Sequence, residues 1–298
     1  MRIAYLILAY HQPRHVAALI AQLDTPAARF FVHVDRKSDI APFRAAIPSP
    51  HVTLVEERLP IYWGGWNMVS ATLELLRRAR REAHADYYQL LSDSCVAIKS
   101  NAAIARRLDG SSANYLTIDY EITTASPLHW WVAQPYVLDN SLLNKFEKSR
   151  WASFARRLLG RVMPRRRPPR GLKLYKGAQW WCLTDTCAGY VLDVIDRRPD
   201  LVRFFRRTRI PDEMFFHTII GNSPFAATLA PALGGTQAGN HYVRWHEDMP
   251  AILGDADLDV LLRDEACFAR KVREHDSASL IEHLRERLDA DASPRIAR

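Results

Sequence analysis

Apolar residues near the N-terminus are arranged in two short runs separated by a helical pattern. Residues 3–9 are continuously apolar, which suits a short buried strand. Apolar positions then recur at helical spacing as far as Leu23, and residues 30–35 form a second run that ends in an acid, Asp35. A strand, a helix and a strand of these lengths predict a βαβ unit, which requires a parallel sheet.

Two polar residues fall at the ends of these predicted strands. Ligands of open parallel sheets bind outside the carboxyl ends of the strands, where His11 and Asp35 lie. A carboxylate there can receive a ribose hydroxyl or a base N–H, so we expect both residues to bind a nucleotide. An ordinary polar loop is the alternative for Asp35.

Later segments continue the alternation of strands and helices. The two glycines of Trp63–Trp66 permit a tight turn, and an amphipathic helix follows from about Asn67. Residues 86–95 predict a strand that ends in a polar cluster around Asp93. Residues 177–183 predict a strand with two adjacent tryptophans that leads into a helix, so the chain as a whole predicts an α/β fold.

Pro211-Asp212-Glu213 combines several signals of a helix start. Proline suits the first turn of a helix, where its missing N–H would have no partner anyway. The two acids suit the same turn, because the helix dipole favours negative charge there. On its own, the segment predicts only the start of a helix over the apolar residues 214–220.

Length and composition favour one α/β domain over residues 1–298. The chain lacks a Ser/Gly-rich linker and an internal repeat, and 48% of its residues are hydrophobic. It also lacks an apolar stretch of about 18 residues, the length that a membrane-spanning helix needs. The four cysteines have no Cys-x-x-Cys spacing for zinc, and we expect reduced, mostly buried thiols.

Much of the net charge of +8 lies in a basic insertion at about residues 145–173. Apolar residues around Trp151 predict an amphipathic helix, which a loop rich in proline and arginine follows. Such a segment can lie on an anionic membrane or hold an acidic acceptor, and a solvated loop is the alternative. No zinc finger, RNA-binding signature or helix-turn-helix accompanies the charge, so nucleic acid is not an expected partner.

Six short motifs follow one another along the chain. They are His33–Ser38, Trp63–Trp66, Leu91–Cys95, Gly177–Trp181, Pro211–Glu213 and Phe268–Lys271. In this order they resemble the core-2/I-branching β-1,6-N-acetylglucosaminyltransferase family, which includes the protein xylosyltransferases, over residues 3–275. The resemblance implies a GT-A-like fold with a mostly parallel central sheet flanked by helices. It also implies an inverting mechanism and a UDP-sugar donor, with no further cofactor.

The resemblance also sets expectations for the compartment and the partners. Golgi members carry an N-terminal anchor and several disulfides, which this sequence lacks. The chain is therefore identified as a bacterial-type member without a membrane anchor, expected in the cytoplasm. We expect peripheral contact with the inner face of the membrane through the basic segment, and a glycan or glycoconjugate as the acceptor. Residues 276–298 are expected to form a C-terminal tail.

Inverting sugar transfer needs a base for the acceptor hydroxyl and positive charge for the departing diphosphate. The resemblance implies Glu213 as the base and Lys271, with its neighbour Arg270, as cations on the diphosphate. Most GT-A enzymes use a metal held by an Asp-x-Asp motif, and Ser92-Asp93-Ser94 occupies its expected place here. We therefore expect no metal and a donor contact from Asp93. Asp255-Ala256-Asp257 has the metal-motif spelling, but its place before a helix indicates a cap.

The chain departs from the family pattern at the second diphosphate cation, an arginine. The matching segment is shorter here, and Arg244 is the candidate, with a surface ion pair to Glu247 or Asp248 as the alternative. The resemblance favours N-acetylglucosamine as the donor sugar with xylose as the alternative, and the sequence itself does not settle this choice. It does not identify the acceptor, the linkage or the oligomeric state.

Aromatic residues are the candidates for the acceptor site. Trp180 and Trp181 alternate across a strand, so we expect one to pack in the core and the other to stack on a sugar ring. His129 and Trp130 lie before the basic segment, where the resembling family builds its acceptor site, and a buried loop is the alternative for them.

Two other classes of function remain open at this stage. A glycoside hydrolase needs two carboxylates across one bond, which the adjacent Asp212 and Glu213 cannot provide on one helix. A non-catalytic basic module would bind a membrane or a polyanion. Release of UDP from a UDP-sugar separates a transferase from both. Should Glu213 not be the base, Asp93 or Asp119 is the next candidate.

Overall fold

The structure is a computed structural model that describes residues 1–47, 49–147, 149, 151–152, 166–231, 237–247 and 249–292. Much of the basic insertion therefore lies outside the described residues, including Arg150, Arg156, Arg157, Arg161 and Arg165. Of the helix predicted around Trp151, only residues 151–152 are described, and both are helical.

Strands and helices alternate along the chain. The strands are β1 (Ile3–Ala9), β2 (Ala28–Val34), β3 (Val52–Leu54), β4 (Tyr87–Ser92), β5 (Cys95–Ala97), β6 (Tyr115–Ile122), β7 (Leu174–Thr184), β8 (Gln237–Ala238), β9 (His241–Val243), β10 (Trp245–His246), β11 (Met249–Pro250) and β12 (Phe268–Arg270). The helices are α1 (Pro13–Leu23), α2 (Ala41–Ala46), α3 (Asn67–Glu82), α4 (Asn101–Leu108), α5 (His129–Ala133), α6 (Ser141–Glu147), α7 (Asp185–Arg197), α8 (Pro199–Phe205), α9 (Phe215–Gly221), α10 (Leu258–Arg263) and α11 (Ala278–Ala292). Over the described ranges, no helix is both long enough and apolar enough to span a membrane.

Six strands form the central sheet in the order β3-β2-β1-β4-β7-β6. The strands from β3 to β4 are parallel, and Leu6 of β1 lies opposite Phe31 on one side and Leu90 on the other. Strand β7 runs antiparallel to both β4 and β6. The predicted α/β class with a mostly parallel central sheet is confirmed, and this is the architecture expected of a GT-A-like glycosyltransferase.

Strand β1 is buried on both faces. Leu6 and Leu8 lie in one apolar cluster with residues of α3, α7 and α9, whereas Tyr5 and Ile7 lie in another with residues of α1. Helices therefore cover both sides of the sheet, which explains why the strand is continuously apolar and does not alternate with polar residues.

The single strand predicted over residues 86–95 is in fact two strands in two sheets. The chain turns at Asp93, whose carboxylate accepts the backbone N–H of Tyr10 at 2.9 Å and of His11 at 2.8 Å. Strand β5 then joins a second sheet of order β5-β12-β9-β8, in which it pairs with the strand that ends at Arg270. This turn connects the carboxyl edge of the central sheet to the second sheet.

Pro211–Glu213 forms a separate 3-10 turn and not the first turn of an α-helix. Ile210 before it is left-handed, with φ 49°, and Met214 after it has φ −136°, so helix α9 begins only at Phe215. The predicted helix start is therefore wrong in detail, because the backbone bends on both sides of the turn. Glu213 belongs to a short turn fixed by its flanking residues.

The predicted C-terminal tail is mostly helix α11. Its residues Leu280 and Leu284 are fully buried in an apolar cluster with Val96 and Ala269 of the second sheet. As far as the structure describes it, this part of the chain is integral to the fold and is not a loose tail.

Arg166 lies near the end of the basic insertion and is bound to the protein backbone. Its Nη1 donates to the carbonyls of Arg207 at 2.6 Å, Gln134 at 3.2 Å and Val132 at 3.3 Å, and its Nη2 donates to that of Phe204. Burial lowers the pKa of this guanidinium to about 10. A solvated loop is thus the wrong description of Arg166, which anchors the insertion to the core.

Candidate active site

The ends of β1 and β4 meet at Asp93. Its carboxylate accepts the backbone N–H groups of Tyr10 and His11, and its backbone carbonyl accepts the side-chain amide of Gln12 at 2.8 Å. The residue is 1% exposed, and burial raises the pKa of its carboxyl. Asp93 therefore fixes the turn after β1, and its predicted direct contact with the donor does not fit this buried position.

Asp35 holds the loop that follows β2. Its Oδ1 accepts the backbone N–H of Lys37 at 2.9 Å and of Ile61 at 3.3 Å, and its Oδ2 pairs with the Lys37 ammonium. The residue lies at the carboxyl end of the second strand, as the sequence predicted. It is 6% exposed, and its contact with a nucleotide stays a prediction.

A cleft of about 510 Å³ opens beside the turn after β1. Its lining residues are Tyr10, His11, Gln12, Pro13, Ser94, Lys271, Arg273, Glu274, His275 and Asp276. The structure thus brings two predicted donor residues, His11 and Lys271, to one cavity. Burial and the charges of Arg270 and Arg273 lower the pKa of Lys271. The lining also holds two acids, Glu274 and Asp276, and Asp276 pairs with Arg273 at 3.4 Å. Lys271 is therefore the lining cation best placed to meet an anionic ligand.

Arg270 interacts electrostatically with both Lys271 and Glu213. Its guanidinium carbon is 4.3 Å from the ring centroid of Trp180, and its Nε is buried with no hydrogen-bond partner among the described residues. Burial lowers its pKa, and the nearby Asp93 opposes that effect. The Arg270 charge lowers the pKa of Glu213 and that of Lys271. Arg270 is therefore a half-buried cation whose buried Nε–H is available to an anion.

Glu213 is the carboxylate best placed to act as a base. Its side chain is 31% exposed, and its Oε2 is 3.1 Å from the ammonium of Lys176. That ammonium also lies 3.6 Å from Oδ2 of Asp119. Burial raises the pKa of Glu213, and the Lys176 charge opposes that rise. A partly open carboxylate with a raised pKa can accept a proton near neutral pH.

Asp212 adds a second acid beside Glu213. Burial and the charge of Glu213 raise its pKa. Its Oδ1 is buried and has no hydrogen-bond partner within the described part of the chain. The two carboxyls therefore oppose each other's ionisation, which favours a protonated Asp212 beside an ionised Glu213.

The Trp63–Trp66 loop positions this acidic turn. The carbonyl of Gly64 accepts the N–H of Ile210 at 3.0 Å, directly before Pro211. A Cβ on Gly65 would lie 2.2 Å from Oδ1 of Asp139, whose carboxylate caps helix α3 by accepting the N–H groups of residues 66 and 67. The glycines therefore allow α3, Asp139 and the turn at Glu213 to pack together.

Both tryptophans of β7 are buried. Trp181 is 0% exposed and packs on Phe216 at 5.2 Å between ring centroids, so it is the core member of the predicted pair. Trp180 is 4% exposed, with Arg270 over one face and His241 at 5.4 Å. Trp181 therefore cannot contact an acceptor, and the expectation that its partner exposes a stacking face does not fit the buried Trp180.

His129 and Trp130 lie in the short helix α5 and are half-buried. The ring of Trp130 is 5.2 Å from the guanidinium carbon of Arg209, which is also 5.4 Å from the ring of Trp63. Because Arg209 directly precedes Ile210, these aromatic residues lie beside the loop that leads to Glu213. Their contact with an acceptor stays a prediction.

Arg244 forms an ion pair with Asp257, whereas the partners considered from the sequence were Glu247 and Asp248. Its Nη1 is 2.7 Å from Oδ1 of Asp257, and its Nη2 donates to the carbonyl of Ile252 at 2.9 Å. Asp257 also accepts the N–H of Gly254 at 2.9 Å, within a separate 3-10 turn formed by Asp255–Asp257 before α10. The predicted cap is wrong in detail, because the Asp257 side chain makes no cap hydrogen bond to helix α10. The Arg244 side chain is 43% exposed and has further N–H groups, so its contact with a diphosphate stays a prediction.

Sequence reasoning missed two residues that the structure brings to the site. Lys176 pairs with Glu213, and Arg273 lines the cleft. The signal for Lys176 was its position directly before the Gly177–Trp181 motif. Across the ranges that the structure describes, no three His, Cys, Asp or Glu side chains are grouped to hold a metal ion.

Comparison with known proteins relates this chain to sugar transferases. The xylosyltransferase oxt of Drosophila melanogaster is 24% identical over 234 residues, which cover 75% of this chain and 24% of that protein. The N-acetyllactosaminide β-1,6-N-acetylglucosaminyl-transferase of Mus musculus is 25% identical over 307 residues, which cover 96% of this chain and 72% of that protein. A xylosyltransferase of Ciona intestinalis is 23% identical over 316 residues, which cover 99% and 35%. The chain thus spans only about a quarter to a third of the xylosyltransferases that it matches.

Among solved structures, the galactosyltransferase LgtC in complex with donor and acceptor sugar analogs aligns over 96% of each chain, with a TM-score of 0.41 and 10% identity. The profile described as Branch, core-2/I-branching enzyme, matches residues 3–259. Because that match covers most of the sequence, the protein belongs to the core-2/I-branching enzyme family of glycosyltransferases.

Proposed function

We propose that the protein transfers a sugar, with inversion, from a UDP-sugar to a hydroxyl of a glycan acceptor. Glu213 acts as the general base, and basic side chains neutralise the diphosphate in place of a metal ion. The observation that carries the proposal is the arrangement of opposite charges. The half-buried Arg270 is close enough to the partly exposed Glu213 to lower the pKa of that carboxyl, and close enough to Lys271 of the cleft to lower the pKa of that lysine.

In the reaction, the acceptor oxygen attacks the anomeric carbon while its proton moves to an Oε atom of Glu213. The bond between that carbon and the diphosphate oxygen breaks, and its electron pair leaves with UDP. Negative charge therefore grows on the departing phosphate, where Lys271, Arg273 and the free Nε–H of Arg270 can stabilise it. Lysine and arginine supply this charge without any change of protonation during the step.

Lys176 and Asp119 complete the proposed base. Lys176 keeps part of the Glu213 population ionised before the acceptor binds, because its ammonium lowers a pKa that burial raises. Asp119 shares the same ammonium at 3.6 Å, so the positive charge is not centred on Glu213 alone. Proton transfer to Glu213 then leaves Lys176 still balanced by Asp119.

We propose N-acetylglucosamine as the transferred sugar. This choice is supported by the mouse relative, which aligns over 96% of the chain and carries N-acetylglucosaminyl transfer in its name. Xylose is the second candidate, which the Drosophila and Ciona relatives support. The four cysteines are all free, buried thiols, which supports the proposed location in a reducing compartment, the cytoplasm.

A donor screen tests this proposal. Purified protein is incubated with UDP-N-acetylglucosamine, UDP-xylose, UDP-galactose or UDP-glucose, and its melting temperature and UDP release are measured. We expect UDP-N-acetylglucosamine to raise the melting temperature most, because a ligand that binds the native state stabilises it. If no donor raises the melting temperature and none releases UDP, the proposed function is contradicted. If only UDP-xylose raises the melting temperature and releases UDP, xylose replaces N-acetylglucosamine in the proposal and the mechanism is unchanged.

A further inference from the structure

Large apolar side chains cluster on one exposed surface beside the candidate active site. Leu142, Leu143 and Phe146 of helix α6 are 74%, 46% and 47% exposed. Val137 is 57% exposed and Trp63 is 53% exposed. We call these five residues the apolar face. Soluble proteins usually carry exposed large apolar residues singly, so a cluster of five indicates an interaction surface.

The apolar face is held in place by defined contacts. The side-chain amide of Asn144, which is 6% exposed, donates to the carbonyls of Trp63 at 2.9 Å and Leu138 at 3.3 Å. Oδ1 of Asn140 accepts the N–H of Leu142 at 3.0 Å and so caps the start of α6. The helix is therefore fixed on the Trp63 loop with its leucine and phenylalanine side chains outward.

Exposed cations border the apolar face. The arginine rim consists of Arg167, Arg203, Arg206 and Arg207, whose side chains are all exposed. The carbonyl of Arg207 accepts the N–H of Tyr136 at 2.9 Å, which places the rim next to Val137.

Asp139 and Asp200 lie near the four arginines of the rim. Asp139 is half-buried, its two oxygens accept the N–H groups of Trp66 and Asn67, and its charge partly offsets that of Arg206. Asp200, in the same helix as Arg203, pairs with Arg198 at 2.9 Å. The four exposed arginines of the rim outnumber these acids, so the charge beside the apolar side chains is positive.

We propose that the apolar face and its arginine rim dock on the surface of an anionic lipid bilayer. Aliphatic and aromatic side chains enter the boundary between headgroups and acyl chains, while the arginines bind anionic headgroups. A soluble polyanion would use the arginines but would gain nothing from exposed leucine and phenylalanine. Because the Trp63 loop also contacts Ile210, docking would hold the acceptor side of the active site near the membrane.

Vesicle binding tests the proposal without any need for transfer activity. The full chain is sedimented with vesicles of phosphatidylcholine alone or of phosphatidylcholine with phosphatidylglycerol. We expect binding to the anionic vesicles only, and weaker binding as the salt concentration rises. Equal binding to both compositions would overturn the proposal. The outcome does not depend on UDP-sugar turnover, so it is distinguishable from failure of the proposed function.

Two double variants separate the apolar and the electrostatic parts of the surface. Leu142→Ser with Phe146→Ser should weaken binding to anionic vesicles by about tenfold or more, because burial of one large apolar side chain is worth at least about that factor. Arg206→Gln with Arg207→Gln should weaken it by roughly fivefold for each charge removed. Both variants change exposed side chains, and a thermal melt checks that each remains folded.

A matched apolar control is Met249→Ser with Val260→Ser, at positions that are 67% and 50% exposed but lie outside the apolar face. A matched charge control is the exposed Arg287→Gln. Neither control should change vesicle binding. Wild-type binding by the Leu142 and Phe146 variant would overturn the proposal. Binding of the wild type to a soluble anionic polysaccharide with the same affinity as to anionic vesicles would also overturn it. The same holds if the wild type binds no vesicles and forms a dimer that the Leu142 and Phe146 variant does not form.

Discussion

Replacing Lys176 with methionine should move the pH dependence of sugar transfer to higher pH. The Lys176 ammonium lies 3.1 Å from Glu213 and 3.6 Å from Asp119, and its side chain is only 16% exposed. Methionine fills a similar volume without the charge. Glu213 would then lie beside two other carboxyls, Asp119 and Asp212, with no lysine between them.

The magnitude follows from the loss of one close cation. An opposite charge within about 4–6 Å lowers a carboxyl pKa by roughly 1–3 units, so the pKa of Glu213 should rise by a similar amount in the variant. The base works only when it is ionised. The acidic limb of the pH profile should therefore shift to higher pH by the same number of units. At a fixed pH on that limb, kcat/KM should fall tenfold for each unit by which the pKa of Glu213 rises.

The assay is UDP release measured from pH 5 to pH 10, plotted as kcat/KM, because this quantity reports the ionisation of the free enzyme. Lys173→Met is the matched control. Lys173 forms an exposed pair with Glu121 at 3.1 Å just before the same strand, whereas the described ion-pair partner of Glu213 is Lys176. Lys176→Arg should restore most of the wild-type profile. An acidic limb that does not move in Lys176→Met, or that moves equally in Lys173→Met, would refute the role given to Lys176.

Four further outcomes follow from the site. Glu213→Gln should lower kcat by about 10²–10⁴ with donor binding retained, as measured by UDP release and thermal shift; near-normal turnover would assign the base elsewhere. Lys271→Met should raise the donor KM about tenfold, and an unchanged KM would separate the cleft from the diphosphate. Chelation by EDTA should leave turnover unchanged, and activity that manganese restores would contradict the mechanism. Gly65→Ala should destabilise the protein by about 1–3 kcal/mol in urea unfolding, whereas Gly254→Ala, with open space around its Cβ, should not.

The strand and helix pattern of the N-terminal half was predictable because its signals are local. The run of residues 3–9 and the helical spacing up to Leu23 specify β1 and α1 directly. The split of the strand at residues 86–95 was not predictable in this way. It depends on bonds from Asp93 to Tyr10 and His11, residues more than eighty positions away in the chain.

The candidate site shows the same division. Glu213 and Lys271 were predicted as site residues because each belongs to a short contiguous sequence motif. The partner Lys176 was not identified, since its contact with Glu213 arises only when strand β7 packs beside the turn at Pro211–Glu213. The expectation of one exposed tryptophan at Trp180 and Trp181 failed for a related reason, because alternation along a strand tells which residues share a face but not which face is covered.

The anchoring of Arg166 has a consequence for how this enzyme could diversify. Its guanidinium binds carbonyls on two separate parts of the core, near Gln134 and near Arg207, and so ties these two parts to each other. Loss of this side chain would leave several backbone carbonyls without their hydrogen-bond donor. Sequence changes that alter the surface around the site should therefore spare Arg166.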